Sequence, residues 1–341
     1  MTTPTVLARM PSGLTARRSW PHAEGLAVEA VGPAGELVGL VITPDLVRVL
    51  DAADTDLPAL APALRPPGAV LLGHRPGRRA VLRDADGQYV KIVRPGRARR
   101  VAEGLREARR RLDGLPGAPV VPAVLDLDDA AGRVRIAAVP GPSLHTLLAA
   151  DPDAAVALCA RLRAALAALR RADEAGLAPH GVDDEVAVLG RWTADADARS
   201  GRDLATTAGP VVAALRALPA RPAVACHRDL HDKQVIAACA GVVGLIDLDT
   251  LAAADPALDT ANLLAHLRLR VLQGRCGADT AARCARAVTD PILDAAALRA
   301  FTAAALLRLA AVYTVRPGPP DLPGRLAALV PDPLPAAWSS T

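Results

Sequence analysis

The stretch from Cys226 to Asp249, CHRDLHDKQVIAACAGVVGLIDLD, gathers more chemically capable side chains than any other part of this 341-residue chain. His227, Asp229 and His231 alternate along it, and Asp232, Lys233 and Gln234 follow at once, just after the apolar run PAVAC. Polar loops set on the end of a rigid strand are where sites form. A second apolar run, GVVGLIDLD, ends in Asp247 and Asp249, the first of them thirteen residues beyond Gln234. Two β segments that both deliver carboxylates at their ends make an oxygen-rich site suited to a divalent cation. One carboxylate can hold the metal while another polarises a hydroxyl, which is the division of labour in phosphoryl transfer. The same residues admit a rival reading, a hydrolase in which His227, Asp229 and His231 ligate a transition metal, with His266 or Asp247 completing the shell. Cys226 beside His227 is not a thiol dyad on this reading, because strand neighbours face opposite ways.

Several elements must position these residues. From Gly25 to Thr43 the sequence predicts two short strands around a Pro-Ala-Gly turn, and Thr43-Pro44-Asp45 then predicts a helix start. The proline-crowded stretch from Asp51 to Gly68 has the composition of a connection, which places a boundary near residue 66. Three strands follow, AVLLGHR, RRAVLRD and QYVKIVR, separated by Pro76-Gly77 and Asp86-Gly87, both good hairpin breaks. Val101, Leu105, Ala108 and Leu112 fall on one helical stripe between Arg97 and Gly114. Val120–Leu127 and Val134–Val139 read as two further strands. Beyond Pro140 the character is helical, over Asp153–Gly176, Pro210–Leu218, Asp259–Gly274 and Leu293–Val312, with one strand-rich island at Ala223–Leu248. The expected fold is α+β and two-lobed: a small antiparallel-sheet lobe over residues 66–139, a larger mainly helical lobe over 140–341, and an N-terminal extension of short strands and a helix over 1–65. A cleft at the join is the natural place for a site.

Composition narrows the function classes. Aromatic residues are only 2% of the chain, so aliphatic side chains must line any pocket for a flat ring. The basic run from Arg97 to Arg111 has no interleaved aromatics and reads as a solvated helix face, not a nucleic-acid surface. Five cysteines without CxxC spacing read as free thiols of a reducing compartment. The N-terminal stretch has no apolar run of signal-peptide length, and no run of about 18 uncharged apolar residues occurs, so a cytoplasmic protein without a membrane partner is expected.

HRDLHDKQ resembles the catalytic loop of the aminoglycoside phosphotransferase and choline kinase family, a branch of the protein-kinase-like fold whose loop reads H-G-D-L-H-x-x-N. IDLD is similar to that family's metal-binding I-D-W/F-x, and AAADPALDTANLL to its G-D-P-x-x-D-L-A segment, in which Asp259 would brace the catalytic loop. The resemblance covers roughly residues 70–270. It implies transfer of the γ-phosphate of ATP or GTP, with Mg²⁺, to a hydroxyl of a small molecule such as an aminoglycoside-like antibiotic, a sugar or an amino alcohol. It implies Asp229 as the base, His227 as the residue that orients the loop, Asp247 as the metal ligand with Gln234 where the second ligand usually stands, and Asp249 as a further carboxylate at the metal. Lys91, on the third strand, would hold the α- and β-phosphates. Its expected partner is Glu107, sixteen residues on, with Glu103 as the competitor. Pro140-Gly141-Pro142-Ser143-Leu144 resembles the family's P-G-x-S-L after the hinge, which puts the nucleotide base against Ala137 to Val139.

Two departures from the family matter. Gln234 replaces Asn and reaches one methylene further. GHRPGRR replaces a glycine-rich phosphate loop, so that backbone N–H groups beside Gly73 and Gly77, with Arg75 or Arg78, would have to cradle the phosphates. A nucleotide-binding pseudokinase is a third reading motivated by these departures, but its mark would be loss of Lys91, Asp229 or Asp247, and all three are present. The sequence leaves monomer and homodimer equally open.

Overall fold

The computed structural model describes residues 6–23, 25–50, 53–335 and 338. Strands β1 (Thr15–His22), β2 (Gly25–Val31), β3 (Leu37–Ile42) and β4 (Val47–Leu50) form an antiparallel sheet in that order. The helix expected at Thr43 is absent. The Thr43 N–H donates to the Leu46 carbonyl at 2.8 Å and its hydroxyl accepts from the Leu46 N–H at 3.1 Å, closing a hairpin turn. Val47 and Val49 then favour a strand. Leu26, Val28, Leu40 and Ile42 of this sheet pack with Val315 from the far end of the chain. The segment read as a bare connection is packed as well: a short helix α1 (Leu60–Leu64) lies under the next sheet, with Leu57 and Leu60 buried against Leu82 and Ile92.

The second sheet holds β5 (Val70–Arg75), β6 (Arg79–Arg83), β7 (Tyr89–Val93), β8 (Val124–Asp128) and β9 (Arg133–Ile136), antiparallel in the order β5-β6-β7-β9-β8. Helix α2 (Ala98–Leu112) buries Val101, Leu105, Ala108 and Leu112 behind it. Val120, expected inside a strand, instead bridges Gly244 in parallel and donates its N–H to the Val243 carbonyl at 2.8 Å, joining this sheet's connection to the strand island.

The remainder is helical: α3 (Leu144–Ala150), α4 (Pro152–Arg171), α5 (Val182–Ser200), α6 (Leu204–Arg216), α7 (Leu258–Leu272), α8 (Ala278–Val288), α9 (Ala295–Tyr313) and α10 (Leu322–Ala327). Side chains of Ser143, Asp151, Asp203 and Asp294 cap α3, α4, α6 and α9. Among the described residues α9 alone is long and apolar enough to cross a membrane; here it forms the buried centre of the helical lobe. Short strands β10 (Pro179–His180), β11 (Val224–Cys226) and β14 (Ala252–Ala254) make one small sheet, and β12 (Val235–Ala237) pairs with β13 (Val243–Leu245). The expected α+β, two-lobed order of antiparallel sheet and then helices is what the chain adopts. The first sheet spans both lobes: Arg199 of α5 donates to the carbonyls of Gly25 at 3.0 Å and His22 at 3.1 Å, while Glu29 of β2 accepts the N–H of His74 in β5.

Candidate active site

A cleft of about 860 Å³ opens between the second sheet and the helical lobe, with Arg18, Trp20 and Glu29 of the first sheet also on its wall. Lys91, Asp229, Gln234, Asp247 and Asp249 all face it. These residues lie far apart in sequence, and the fold converges them on one volume.

The loop from His227 to Gln234 leaves β11 and enters β12. Its entry is held by Asp259 at the start of α7, whose buried carboxylate accepts the N–H groups of His227 and Arg228, both at 2.7 Å. Burial pushes the Asp259 carboxyl up from its ordinary value, against the charge of His227 and these two N–H groups. Arg228 adopts a left-handed φ of 73°, a conformation costly for a side chain of its size and held only by its surroundings. Its carbonyl accepts from the Asn262 amide at 2.9 Å. The His227 ring donates from Nε2 to the Ile246 carbonyl at 2.9 Å, and the Thr250 hydroxyl donates to the His227 carbonyl at 2.9 Å. His227 therefore ties this loop to the Asp247 segment and does not present its ring to the cleft. The next residue in the loop, Asp229, is exposed, and no partner for its carboxylate is found among the described residues.

Asp247 follows β13 with φ 69°, the second left-handed non-glycine residue, and forms an ion pair with Lys91 of β7. Lys91 Nζ is also 3.7 Å from Asp249. Burial would raise the Asp247 carboxyl, but the Lys91 ammonium overrides it and holds Asp247 well below the usual carboxylate range. Burial and the neighbouring Asp247 charge push Asp249 the other way, with Lys91 opposing. Gln234 is buried and its Oε1 accepts the His231 N–H at 3.1 Å. Two carboxylates and an amide oxygen are hard donors that suit Mg²⁺, which is held in such enzymes by one or two carboxylates and the substrate phosphates. The residues present fit that ion.

The expected Lys91–Glu107 pair is not formed. Glu107 bonds Arg110 at 2.6 Å and Arg111 at 2.6 Å, its neighbours at i+3 and i+4, on the outer side of α2. The helix turns Val101 and Leu105 toward the cleft instead, and Glu103 is exposed. Packing sets this phase. A β-carbon on Gly104 would lie 3.1 Å from Asp249 Cα, so the absence of a side chain lets α2 sit directly on the Asp247–Asp249 segment.

The turn expected to cradle phosphates is also built differently. The His74 N–H donates to Glu29 at 2.6 Å and the Gly77 N–H to Asp54 at 2.7 Å, while the His74 ring bonds Asp54 at 2.9 Å. Burial opposes ionisation of Asp54, yet the His74 hydrogen bond holds its carboxyl below the ordinary value. Two amides of the turn are thus spent on carboxylates from the N-terminal part of the chain. Gly73 lines the cleft and Gly77 does not; the cationic groups offered there are Arg75 and Arg79, with Arg78 outside it. At the hinge, Ala137 and Val139 line the cleft. The Ala137 N–H already donates to the Ala123 carbonyl and that of Ala138 to Gln88, both at 2.8 Å, whereas no partner for the Val139 N–H is found among the described residues.

Among the described residues no three His, Cys, Asp or Glu side chains are arranged to hold a metal, and the His227 ring is committed to Ile246, so the hydrolase ligand set is not assembled. With this geometry in view, a family profile described as the phosphotransferase enzyme family matches residues 69–288. The chain belongs to the phosphotransferase enzyme family.

A comparison with curated protein sequences finds no match. Among solved structures, the GDP complex of wild-type aminoglycoside 2′-phosphotransferase-IIIa is 15% identical to this phosphotransferase at a TM-score of 0.55, covering 82% of this chain and 96% of the other. A thermostable mutant of aminoglycoside phosphotransferase APH(4)-Ia, in its apo form, is 16% identical at 0.55, covering 77% and 94%. Aminoglycoside phosphotransferase APH(3″)-Id from Streptomyces rimosus is 23% identical at 0.49, covering 75% and 98%. The likeness to the first two speaks for the fold alone and leaves the acceptors with those enzymes.

Sequence reasoning did not foresee how this phosphotransferase uses several groups in and beneath the cleft. Asp232 is buried beneath the catalytic loop, where His145 bonds it at 2.5 Å and Arg270 at 2.8 Å through two nitrogens. Burial alone would raise its carboxyl, but these partners hold it far below the usual range. His231 stacks on His266 with ring centroids 4.8 Å apart, and burial pushes the His231 imidazole down to about 4. Arg18 and Glu29 come from the first sheet, and no local signal in TARRSWPH or GLAVEAV marks them for a cleft.

Proposed function

We propose that this chain is a Mg²⁺-dependent kinase of small molecules, transferring the γ-phosphate of ATP or GTP to a hydroxyl group. The observation that carries the reading is the convergence of Asp229, Lys91 and Asp247 on one cleft in a member of the phosphotransferase enzyme family. Asp247, Asp249 and the Gln234 amide oxygen would hold Mg²⁺, which neutralises charge on the phosphates when bound. Lys91, already among these carboxylates, would engage the α- and β-phosphates. Ala137 and Val139 would meet the nucleotide base, Val139 with its N–H. Arg75 and Arg79 would take the part that backbone amides play elsewhere.

Asp229 would accept the proton of the acceptor hydroxyl as its oxygen bonds the γ-phosphorus. The bond from that phosphorus to the bridging β–γ oxygen then breaks, and the nucleoside diphosphate leaves. Positioning and charge stabilisation do most of the work in such transfers, which explains the bracing of the Asp229 loop by Asp259, Asn262, Thr250 and His227. The free state of all five cysteines supports a reducing, cytoplasmic setting. The test is thermal: Mg²⁺ with ATP or GTP raises the melting temperature, and Lys91→Ala and Asp247→Asn abolish the rise. A screen of hydroxylated compounds, read by an increase in acceptor mass, then identifies the product. Stabilisation by Zn²⁺ alone, with none from Mg-nucleotide, would refute the kinase reading.

A further inference from the structure

The acceptor side of the cleft has the wrong sign for a polycation. Apart from Asp229, Asp247 and Asp249, no acidic residue of the helical lobe lines the cleft among the described residues, and the other carboxylates that could have received amino groups are placed or bonded elsewhere. Asp184 caps the Gly181 N–H at 2.9 Å, Glu185 bonds His180 at 2.5 Å, and Asp195 pairs with Arg199 at 2.8 Å. Asp197 accepts the N–H groups of Leu204 and Ala205 at 2.8 and 2.9 Å, Asp294 caps Ala297 at 2.7 Å, and Asp183 lies outside beside Arg216. Glu29, the one carboxylate the first sheet contributes, is fully buried and shared by the His74 N–H, Arg17 at 3.4 Å and Arg18 at 3.5 Å.

Cations face the same volume in excess of carboxylates: Arg18 shares its one counter-ion, Glu29, with Arg17, and no ion pair of Lys233 or Arg316 is found among the described residues. Arg18 comes from β1, Lys233 from the loop that carries Asp229, and Arg316 from the turn after α9; none of the three belongs to the second sheet or the hinge that would receive the nucleotide. Arg316 has its Nε buried without a partner among the described residues, and its guanidinium lies over the Tyr313 ring at 5.7 Å. Two other arginines of this wall are paired with carboxylates and do not count: Arg270 with Asp232, and Arg308, which also donates to Asn262 at 2.9 Å, with Glu185 at 3.8 Å. The crowding is felt by the groups themselves. Burial, followed by the Arg79, Arg78 and Arg316 charges, lowers Arg75 to about 10. Like charges gathered with too few counter-ions mark a place for an anion.

Building on the phosphotransfer reading above, we propose that the hydroxyl acceptor carries an anionic group of its own, a carboxylate or a phosphate, which Lys233, Arg316 and Arg18 bind beside Asp229. The first sheet is then part of the acceptor site through Arg18.

Two measurements test this. With a non-hydrolysable nucleotide and Mg²⁺ saturating the donor side, inorganic sulfate raises the melting temperature further, and Arg316→Gln and Lys233→Gln each remove the added rise. In turnover, the sets glucose, glucuronate, glucose 6-phosphate and glucosamine, and glycerol, glycerate, glycerol phosphate and ethanolamine, are compared. The anionic members are used at concentrations at least about tenfold lower than the amino members, and the carboxylate and phosphate arms separate the two sources of charge. Arg316→Gln raises the acceptor KM by about tenfold and leaves the nucleotide KM within about twofold. Sulfate that only displaces nucleotide, preference for an amino member, or a variant that raises the nucleotide KM alone would each overturn the proposal. If neither set contains a substrate, the sulfate measurement decides by itself. Failure of Mg-nucleotide to stabilise the wild type is a different result, and removes the phosphotransfer reading instead.

Discussion

Asp259→Ala tests how the catalytic loop is held. The substitution strips the acceptor from two backbone N–H groups, those of His227 and Arg228, each at 2.7 Å from a carboxylate with 4% exposure. An orphaned buried N–H costs about 1–3 kcal/mol, so the gross loss is about 2–6 kcal/mol. Arg228 can then relax from its left-handed conformation, which returns about 1–2 kcal/mol. At the middle of both ranges the expected net destabilisation is about 2.5 kcal/mol, below the 5–15 kcal/mol typical of a domain, so the variant still folds. Because Asp229 is the residue after Arg228, the relaxation displaces its carboxylate, and kcat falls by about 100-fold or more. Urea denaturation measures the first quantity and single-turnover phosphate transfer, at a temperature where the variant is folded, measures the second. A loss below about 0.5 kcal/mol, or a kcat within about threefold of wild type, would refute the bracing argument.

Asp229→Asn is expected to keep the Mg-nucleotide stabilisation while losing about 10²–10⁴ in kcat; a variant that turns over normally ends the base assignment. Glu107→Gln leaves kcat and melting temperature unchanged, since Glu107 serves only Arg110 and Arg111; a hundredfold fall in kcat would restore the Lys91–Glu107 pairing. Gly104→Val forces side-chain atoms against the backbone of Asp249, and it weakens the Mg-nucleotide stabilisation at a folding cost of about 1–3 kcal/mol, seen by calorimetry with and without ligand. For pH, the folded His231 titrates near 4 against 6.5 when unfolded, so between these values the unfolded chain binds more protons. Stability contributed by this group is complete above pH 6.5 and is lost as pH falls toward 4, by at most about 3 kcal/mol. His231→Gln should flatten the denaturation midpoint over that window; an unchanged slope would contradict it.

Much of the candidate site is contiguous in sequence, which is why it was legible. HRDLHDKQ and IDLD lie on short strands whose ends fall where the apolar runs stop, and period-two alternation with Gly77 and Gly87 marks the hairpins that carry Lys91. Helices α5 and α8 escaped notice because alanine satisfies either face and erases the periodicity. The helix expected at Thr43 failed because the same Thr-Pro-Asp chemistry serves a capped helix or a hairpin turn, and only the neighbouring sheet decides between them.

By itself, then, the sequence singled out Asp229 and Asp247 as candidate reacting residues, the order of lobes, and Lys91 as the third-strand cation. Tertiary structure alone decided what those residues face. The phase of α2 follows from Gly104 resting on Asp249, not from the spacing of Lys91 and Glu107. The amides of the phosphate turn are taken by Glu29 and Asp54, which lie 45 residues from His74 and 23 from Gly77. The sign of the acceptor wall depends on which carboxylates are already hydrogen-bonded. Such outcomes rest on long-range contacts, and local propensity carries no record of them.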